Sequence, residues 1–488
     1  MSSLILTNSI ATTGAAASRW RMWTPPLAAL TAFAAALISP TVLDDGDTWW
    51  HLAAGDWIIA HHAIPRVDPF SFTMAGAPWT AHEWLAELLM ALAFRLAGWS
   101  GVALIAGVAA ASAAAIVATR IARDLDGPPL PIAVALGLSL LSPSFLARPH
   151  LLALPILAAW SAGLLAARDR GCAPPPALAA LMALWANLHG GFVFGLALIG
   201  PFALEALLAA APAERLDVAR RWAGFAALSV AAALLTPHGV EALIFPFRLL
   251  TMTSLAQIGE WQAASFAHIQ PLETALFVVL ALALRRPVSM PPVRLALLLG
   301  LLYLALAHGR HQMLVGVIAP MLLAAPVAKA LGSEAEPPAR DASAAWPVFI
   351  AAAAALALVA FRAAWPIVRV DGPTAPIAGL AATPPALRLK PALNAYDFGG
   401  YLIWSGVRPF VDGRADMYGD RFLARYRRLA AADPATLDET LTQDGVAWTM
   451  FPPSSPVVAA MDRQVGWRRL YAGPFAVVHA RVDALDPD

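Results

Sequence analysis

LDDGDTWWHLAAGDWI, residues 43–58, follows at once on the first long apolar run of the chain. Asp44, Asp45, Asp47 and Asp56 stand there with His51 and with Trp49, Trp50 and Trp57, where a segment crossing hydrocarbon would end. Ionised carboxylates are costly at the centre of a bilayer and tolerable at its edge. The stretch therefore reads as a membrane boundary, and the side on which it lies decides where any chemistry takes place.

The composition agrees with a membrane protein. Of 488 residues, 59% are hydrophobic and 13% charged, roughly half the charged share of an ordinary soluble domain. Net charge of +1 gives no bulk attraction to nucleic acid. A single cysteine, Cys172, excludes an internal disulfide framework. Arg19 and Arg21 precede an apolar run without a small-residue cleavage site, so no cleavable signal is expected. Apolar stretches at 26–43, 100–119, 130–147, 150–167, 177–188, 191–211, 222–236, 271–284, 294–308, 311–329 and 346–363 make about eleven candidate spans. The shorter ones need tilt or shelter from their neighbours.

Basic residues set the expected orientation. With the N-terminus in the cytoplasm, the inner face collects Arg19, Arg21, Arg120, Arg123, Arg168, Arg170, Arg215, Arg220, Arg221, Arg285, Arg286, Arg294 and Lys329. The stretch from Glu83 to Ala97 must then lie along the interface rather than cross, or Arg120 and Arg123 would fall outside. Every histidine and the acidic stretch at 44–47 face the non-cytoplasmic side in this topology. The expected organisation is a cytoplasmic segment 1–25, a transmembrane domain 26–363 with its first outer loop at 44–99, and an extracytoplasmic domain 364–488. The segment 331–345 is expected as a polar cytoplasmic loop.

Candidate chemistry lies on the outer side. Asp44, Asp47 and His51 recur at i, i+3 and i+7, so a helix starting at the membrane edge would align them on one face. A carboxylate there can act as a general base on a hydroxyl or hold a divalent cation (Mg or Mn) beside a phosphate, through Asp44 and Asp47 if at all. Alternatively these acids cap a helix N-terminus. The three tryptophans suit an interfacial helix. His82 and Glu83 open the next helix, either as a cap or, with Glu87 one turn on, as a polar cavity wall. Arg148 and His150 in ARPH, and His308, Arg310 and His311 in HGRHQ, sit at span junctions. A membrane-edge arginine offers a forked donor to a lipid phosphate, or simply snorkels to the headgroups. His189 in NLHGG and Glu260 in GEW could line the same cavity or serve as a structural histidine and a solvated loop acid. The histidines have neither an HExxH pattern nor cysteine partners, so no zinc site is expected.

Beyond about residue 364 the pattern changes. GGYLIW…RPFVDGRADMYGD precedes a helical stretch from Phe422 to Leu429, then a second helix, then strand-like VAWTMF and FAVVHARV. A small α/β domain is expected there.

The order of features after the first span is an acidic pair, GDW, a Pro-containing turn, G-x-P-W and an aromatic-rich helix ending AGWSGVAL. This resembles the first outer loop of the C-type (GT-C) membrane glycosyltransferases, nearest to the protein mannosyltransferase and lipid A aminoarabinose transferase group. The resemblance implies a mainly α polytopic bundle in the cell envelope, with an essential acid among Asp44, Asp45 and Asp47 and a donor sugar carried on a polyprenyl phosphate. Partners would be membrane lipid, that donor and an unidentified glycan, lipid or protein acceptor; no certain cofactor is implied. The expected activity is sugar transfer on the non-cytoplasmic face of the inner membrane, with the C-terminal domain periplasmic. Asp47, Asp44, Asp45 and His51 would be catalytic. Arg148, His150, Arg310, His308, His311, His82, Glu83, His189 and Glu260 would bind substrate. The alternatives are a transporter or flippase of a lipid-linked saccharide and a non-catalytic scaffold. Few charges fall in mid-span, which favours chemistry at the interface.

Overall fold

The structure is a computed structural model that describes residues 3–334 and 345–485, the side chains of 3–18 and 257 excepted. Most of the loop expected at 331–345 therefore lies outside the described residues. The chain divides into two compact units.

The first unit comprises 1–42, 103–246 and 257–365 and is helical. Among the described residues, five helices of the chain are long and apolar enough to cross a membrane: Trp84–Ile121, Pro149–Asp169, Phe192–Ala209, Gly309–Leu331 and Trp346–Ala364. Pro129–Ser144, Pro176–Leu188 and Pro292–Ala307 are shorter apolar helices. The first of the five is broken at Ala97 and at Gly98, whose φ of 59° suits glycine. The break falls between the stretch expected to lie along the interface and the one expected to span.

Small residues bring these helices close, as membrane packing requires. Gln312–Leu331 packs on Pro129–Leu141, where a Cβ on Gly316 would meet Leu141 at 2.9 Å. The buried indole of Trp160 donates to the Gly195 carbonyl at 2.8 Å, joining Pro149–Asp169 to Phe192–Ala209. At one end of these two helices Arg168 and Arg294 pair with Glu205, and Arg120 and Arg294 pair with Asp169. Arg21 donates to the Ala122 carbonyl. Arg120, Arg168 and Arg294, three of the residues expected on the inner face, thus share two carboxylates. The 21-residue helix Pro149–Asp169 carries His150 at the opposite end, about 30 Å away at 1.5 Å per residue.

The second unit holds 43–102, 247–256 and 366–488. Its sheet has the order β1-β2-β4-β3, with β1 (Ala392–Asn394) parallel to β2 (Trp448–Phe451). β4 (Val477–Arg481) runs antiparallel to β2 and to β3 (Trp467–Ala472). Buried Trp448, Met450 and Val478 from the sheet pack with Leu402 and Phe398, and Trp49 of the first loop joins them. The helix Asp47–His61 lies against Gly399–Trp404, where a Cβ on Gly400 would stand 2.2 Å from the Gly46 carbonyl.

This packing corrects two expectations. Trp49 and Trp50 are not interfacial side chains: both are buried, Trp49 among Trp99, Tyr401 and Trp404, and Trp50 against Trp79. A helix that presents aromatics to headgroups and one that buries them in a protein core have the same sequence signature. Asp44 is not on the helix, which begins at Asp47 after a 3-10 turn at Pro40–Leu43, so the i, i+3, i+7 face does not form.

Candidate active site

The first-loop acids have three different settings in the second unit. Asp44 is half-exposed and pairs with Arg369 at 2.9 Å. The Asp45 carboxylate accepts from the Asp47 amide at 2.8 Å, where the helix starts. Asp47, in the first turn, accepts from the Trp50 indole at 3.0 Å. Its carboxylate lies so close to residue 413 that a Cβ on Gly413 would fall 1.8 Å from Oδ1. Glycine at 413 therefore makes the room that Asp47 occupies.

His51 follows one turn later and points elsewhere. It is buried, with Nδ1 3.3 Å from Glu87 Oε1 and Nε2 3.9 Å from Glu83 Oε2. His82 lies 3.7 Å from Glu83 and its ring also meets the Thr80 carbonyl. His51, His82, Glu83 and Glu87 thus form one cluster, in which Glu87 Oε2 is buried without a hydrogen-bond partner. Glu83 immediately precedes the helix beginning at Trp84, and its carbonyl accepts from Glu87 N–H.

Sequence reading missed the residues that surround this loop. The Arg414 guanidinium is fully buried and donates Nε and Nη2 to Asp412 at 2.8 and 2.7 Å and Nη1 to Asp68 at 2.7 Å. It is sandwiched by Phe70 and Trp79, while Tyr418 donates to Asp412 at 2.8 Å. Asp68 also accepts from the amides of Phe70 and Ser71. Two hydrogen bonds join the segments alongside: Phe72 N–H to the Pro409 carbonyl, and the Thr73 hydroxyl to the Phe410 carbonyl. The first loop and VDGRAD are one packed body. Burial raises the Tyr396 hydroxyl, and the charges of Asp47, Asp412, Asp416 and Asp397 push it further up. Burial likewise raises Asp416 against the opposing pull of His82 and Arg414. Asp397 is raised by burial and by Asp45. The available signal was four charges, Arg408, Asp412, Arg414 and Asp416, set in an otherwise apolar and glycine-bearing stretch.

A second polar cluster belongs to the first unit. Glu260, on the short turn Gly259–Trp261, is held between two arginines: Oε2 to Arg148 Nη1 at 3.1 Å and Oε1 to Arg310 Nη1 at 3.0 Å. Burial would raise this carboxyl, but Arg148 and Arg310 overcome it and hold it down at about 2. Arg310 lies over the Trp261 ring at 4.3 Å, and His308 Nδ1 meets the Trp261 carbonyl at 2.8 Å. His311 packs edge-on to His308 and to Phe194. His150 and His189 pair edge-on at 6.2 Å; His150 Nε2 meets the Ser144 carbonyl, and His189 Nδ1 accepts from Gly191 N–H. Phe194 also begins a groove of about 710 Å³ lined by Leu198, Leu301, Leu304 and Leu314.

Among the described residues, no three His, Cys, Asp or Glu side chains are placed to hold a metal ion. Of the pair considered for a divalent cation, Asp44 pairs with Arg369 and Asp47 accepts from the Trp50 indole.

The chain has the fold of solved C-type membrane glycosyltransferases. The ArnT structure from Cupriavidus metallidurans in the apo state matches with a TM-score of 0.52 at 14% identity, over 94% of this chain and 98% of that one. The same protein bound to undecaprenyl phosphate gives 0.51, again at 14% identity and over the same shares. The oligosaccharyltransferase of Archaeoglobus fulgidus, in its apo form, gives 0.51 at 12% identity over 88% of this chain and 69% of that one. No protein-family model and no curated protein matches the sequence. The fold implied by the first loop is the fold found; at these identities the likeness reaches no further than fold.

Proposed function

We propose that the chain is a membrane glycosyltransferase that takes a sugar from a polyprenyl-phosphate donor and transfers it to an acceptor on the non-cytoplasmic face. The observation that carries this reading is the juxtaposition in the first unit of a paired-arginine anion site with a long apolar groove, linked through His311 and Phe194. A phosphate head with a prenyl tail has that combination of needs. A solved structure of the same fold that binds undecaprenyl phosphate supports the choice of ligand.

In the proposed reaction the acceptor hydroxyl attacks the anomeric carbon, the C–O bond to phosphate breaks, and the phosphate oxygen takes the bonding pair. Arg148 and Arg310 stabilise the charge that develops there. Asp47 removes the acceptor proton. It is preferred to Asp44, which is committed to Arg369, and to Asp45, which is committed to the helix start. His51, His82 and Glu83 would hold the first loop, and His150, His189, His308 and His311 would serve the phosphate. Eleven spans with the Arg120–Arg168–Arg294 end in the cytoplasm, an outer loop at 44–99 and an extracytoplasmic 364–488 complete the proposed arrangement.

The test is vesicles carrying the purified protein with polyprenyl-phosphate hexose, pentose or aminosugar. Transfer is read as free polyprenyl phosphate released with the sugar on an acceptor, and it should depend on Asp47. Movement of the intact lipid-linked sugar between leaflets without release would replace this reading with a transporter.

A further inference from the structure

We propose that Glu260 is a built-in competitor for the donor phosphate: its carboxylate occupies the place between Arg148 and Arg310 and leaves it when the phosphate arrives. This rests on the preceding assignment of the two arginines to the donor.

The geometry is that of a surrogate anion. Each carboxylate oxygen serves one guanidinium, at 3.1 and 3.0 Å, as two oxygens of a phosphate would. The cations stand at the starts of long helices, Arg148 just before Pro149–Asp169 and Arg310 in the turn leading into Gln312–Leu331. The anion stands on a three-residue turn within the irregular chain between Leu250 and Pro271. The rigid partners are therefore the binding groups and the adaptable one is the carboxylate. The turn is tied down by its backbone, with the Trp261 carbonyl at His308 and Gly309 N–H donating to the Gln262 carbonyl at 3.0 Å. Rotation of the Glu260 side chain is then enough to vacate the site, without displacement of the turn.

The exchange has a chemical purpose. Two guanidiniums facing each other repel, and the Glu260 carboxylate between them offsets that repulsion, so the site is formed before donor binds. A carboxylate and the phosphodiester of the donor each bring one negative charge, whereas the phosphate monoester released as product brings between one and two near neutral pH. Glu260 and the donor therefore compete on equal formal charge, and the more strongly held product is helped to leave because Glu260, rather than water alone, takes its place between Arg148 and Arg310. Glu260 thus lowers donor affinity and speeds release.

The experiment measures binding of a prenyl monophosphate and of inorganic phosphate to the full chain in detergent, followed by tryptophan fluorescence, for which Trp261 beside Arg310 is the reporter. Wild type is compared with Glu260→Gln, Glu260→Ala and Arg310→Lys. Removing the competing charge should tighten prenyl monophosphate binding about tenfold in both Glu260 variants, the effect of one partly screened carboxylate. A parallel gain for inorganic phosphate assigns recognition to the phosphate as such; a gain confined to the prenyl compound assigns it to a lipid headgroup. Unchanged or weaker binding in both Glu260 variants, with wild type binding normally, overturns the proposal and makes Glu260 a residue that positions the arginines. Wild-type binding that is indifferent to Arg310→Lys sinks the donor assignment instead, and absence of binding in every variant sinks both.

Discussion

The two arginine–carboxylate clusters use the same chemistry to opposite ends. Arg414 has no exposed surface, and its guanidinium donates to two equally buried aspartates between two aromatic rings. Arg148, Arg310 and Glu260 retain 19, 23 and 32% of their side-chain exposure. A buried and saturated pair costs much to desolvate and more to break, so it fixes a packing arrangement. A partly exposed pair is screened and exchangeable, which is what an anion-binding site requires. Burial, more than pairing, separates the structural cluster from the candidate binding cluster.

Breaking the buried cluster should give the largest effect. Arg414→Met fits an unbranched apolar chain between Phe70 and Trp79 but leaves Asp68 and Asp412 without their cation. A loss of about 3–5 kcal/mol is expected, the range for removing one partner of a buried ion pair. The check is unfolding of the purified protein in detergent. A change under 1 kcal/mol would mean that the cluster does not fix the packing of loop and tail.

Asp47→Asn should come next, with effect on rate rather than stability. Asparagine keeps the shape and can still accept from Trp50, but it cannot take a proton. Transfer should fall about 100-fold, a typical order for loss of a general base, with the unfolding midpoint nearly unchanged. Normal transfer in this variant would move the search for the base to Asp397 or Asp416.

Much of the fold was legible and less of the site. Apolar run lengths and the loop's order of acids, tryptophans and turns were enough to suggest the C-type fold, because bilayer thickness imposes length on sequence. Arg148 and Arg310 could be singled out as polar groups at span ends, and Glu260 as a loop acid. Their convergence could not, since separations of 112 and 50 residues carry no local periodicity. Arg414 was passed over because Asp-Gly-Arg reads as a solvated turn when its partner, Asp68, is 346 residues away. Asp44 was misplaced on a helix because spacing fixes phase only once the helix start is known, and Pro40–Leu43 and Gly46 delay it to Asp47.

The exposed cluster can be sharpened with a substitution that keeps charge. Arg310→Lys loses the planar fork, and with it the match to a phosphate and the stacking on Trp261. Turnover with a polyprenyl-phosphate sugar should fall about tenfold, while stability changes by less than about 1 kcal/mol. The pH dependence has a definite sign. Because Glu260 is held at about 2, the stabilisation from this bridge is fully present above the ordinary glutamate value of about 4.3. It is lost only as pH falls through about 2. The bridge should therefore survive between pH 4 and 8, and a loss of Trp261–Arg310 contact seen by fluorescence near pH 5 would show that the arginines do not hold Glu260.

The smallest effect is expected at Asp44, and it separates the two candidate acids. Its pair with Arg369 resembles the exposed cluster: Asp44 keeps 53% of its side-chain surface, although Arg369 keeps only 13% and lies within 6 Å of the Trp49 and Trp99 rings. Asp44→Asn removes one screened charge and leaves Arg369 supported by those rings, so stability should change by no more than about 1 kcal/mol. Transfer should stay within about threefold of wild type, because Asp44 is engaged by the Arg369 guanidinium and is not the acid assigned to the acceptor proton. Raising the salt concentration should shrink the stability difference between wild type and Asp44→Asn, as screening of an exposed pair demands, and should leave the Arg414→Met deficit in place. A hundredfold loss of transfer in Asp44→Asn, with Asp47→Asn active, would reverse the assignment of the base and make the Asp44–Arg369 pair the exchangeable one.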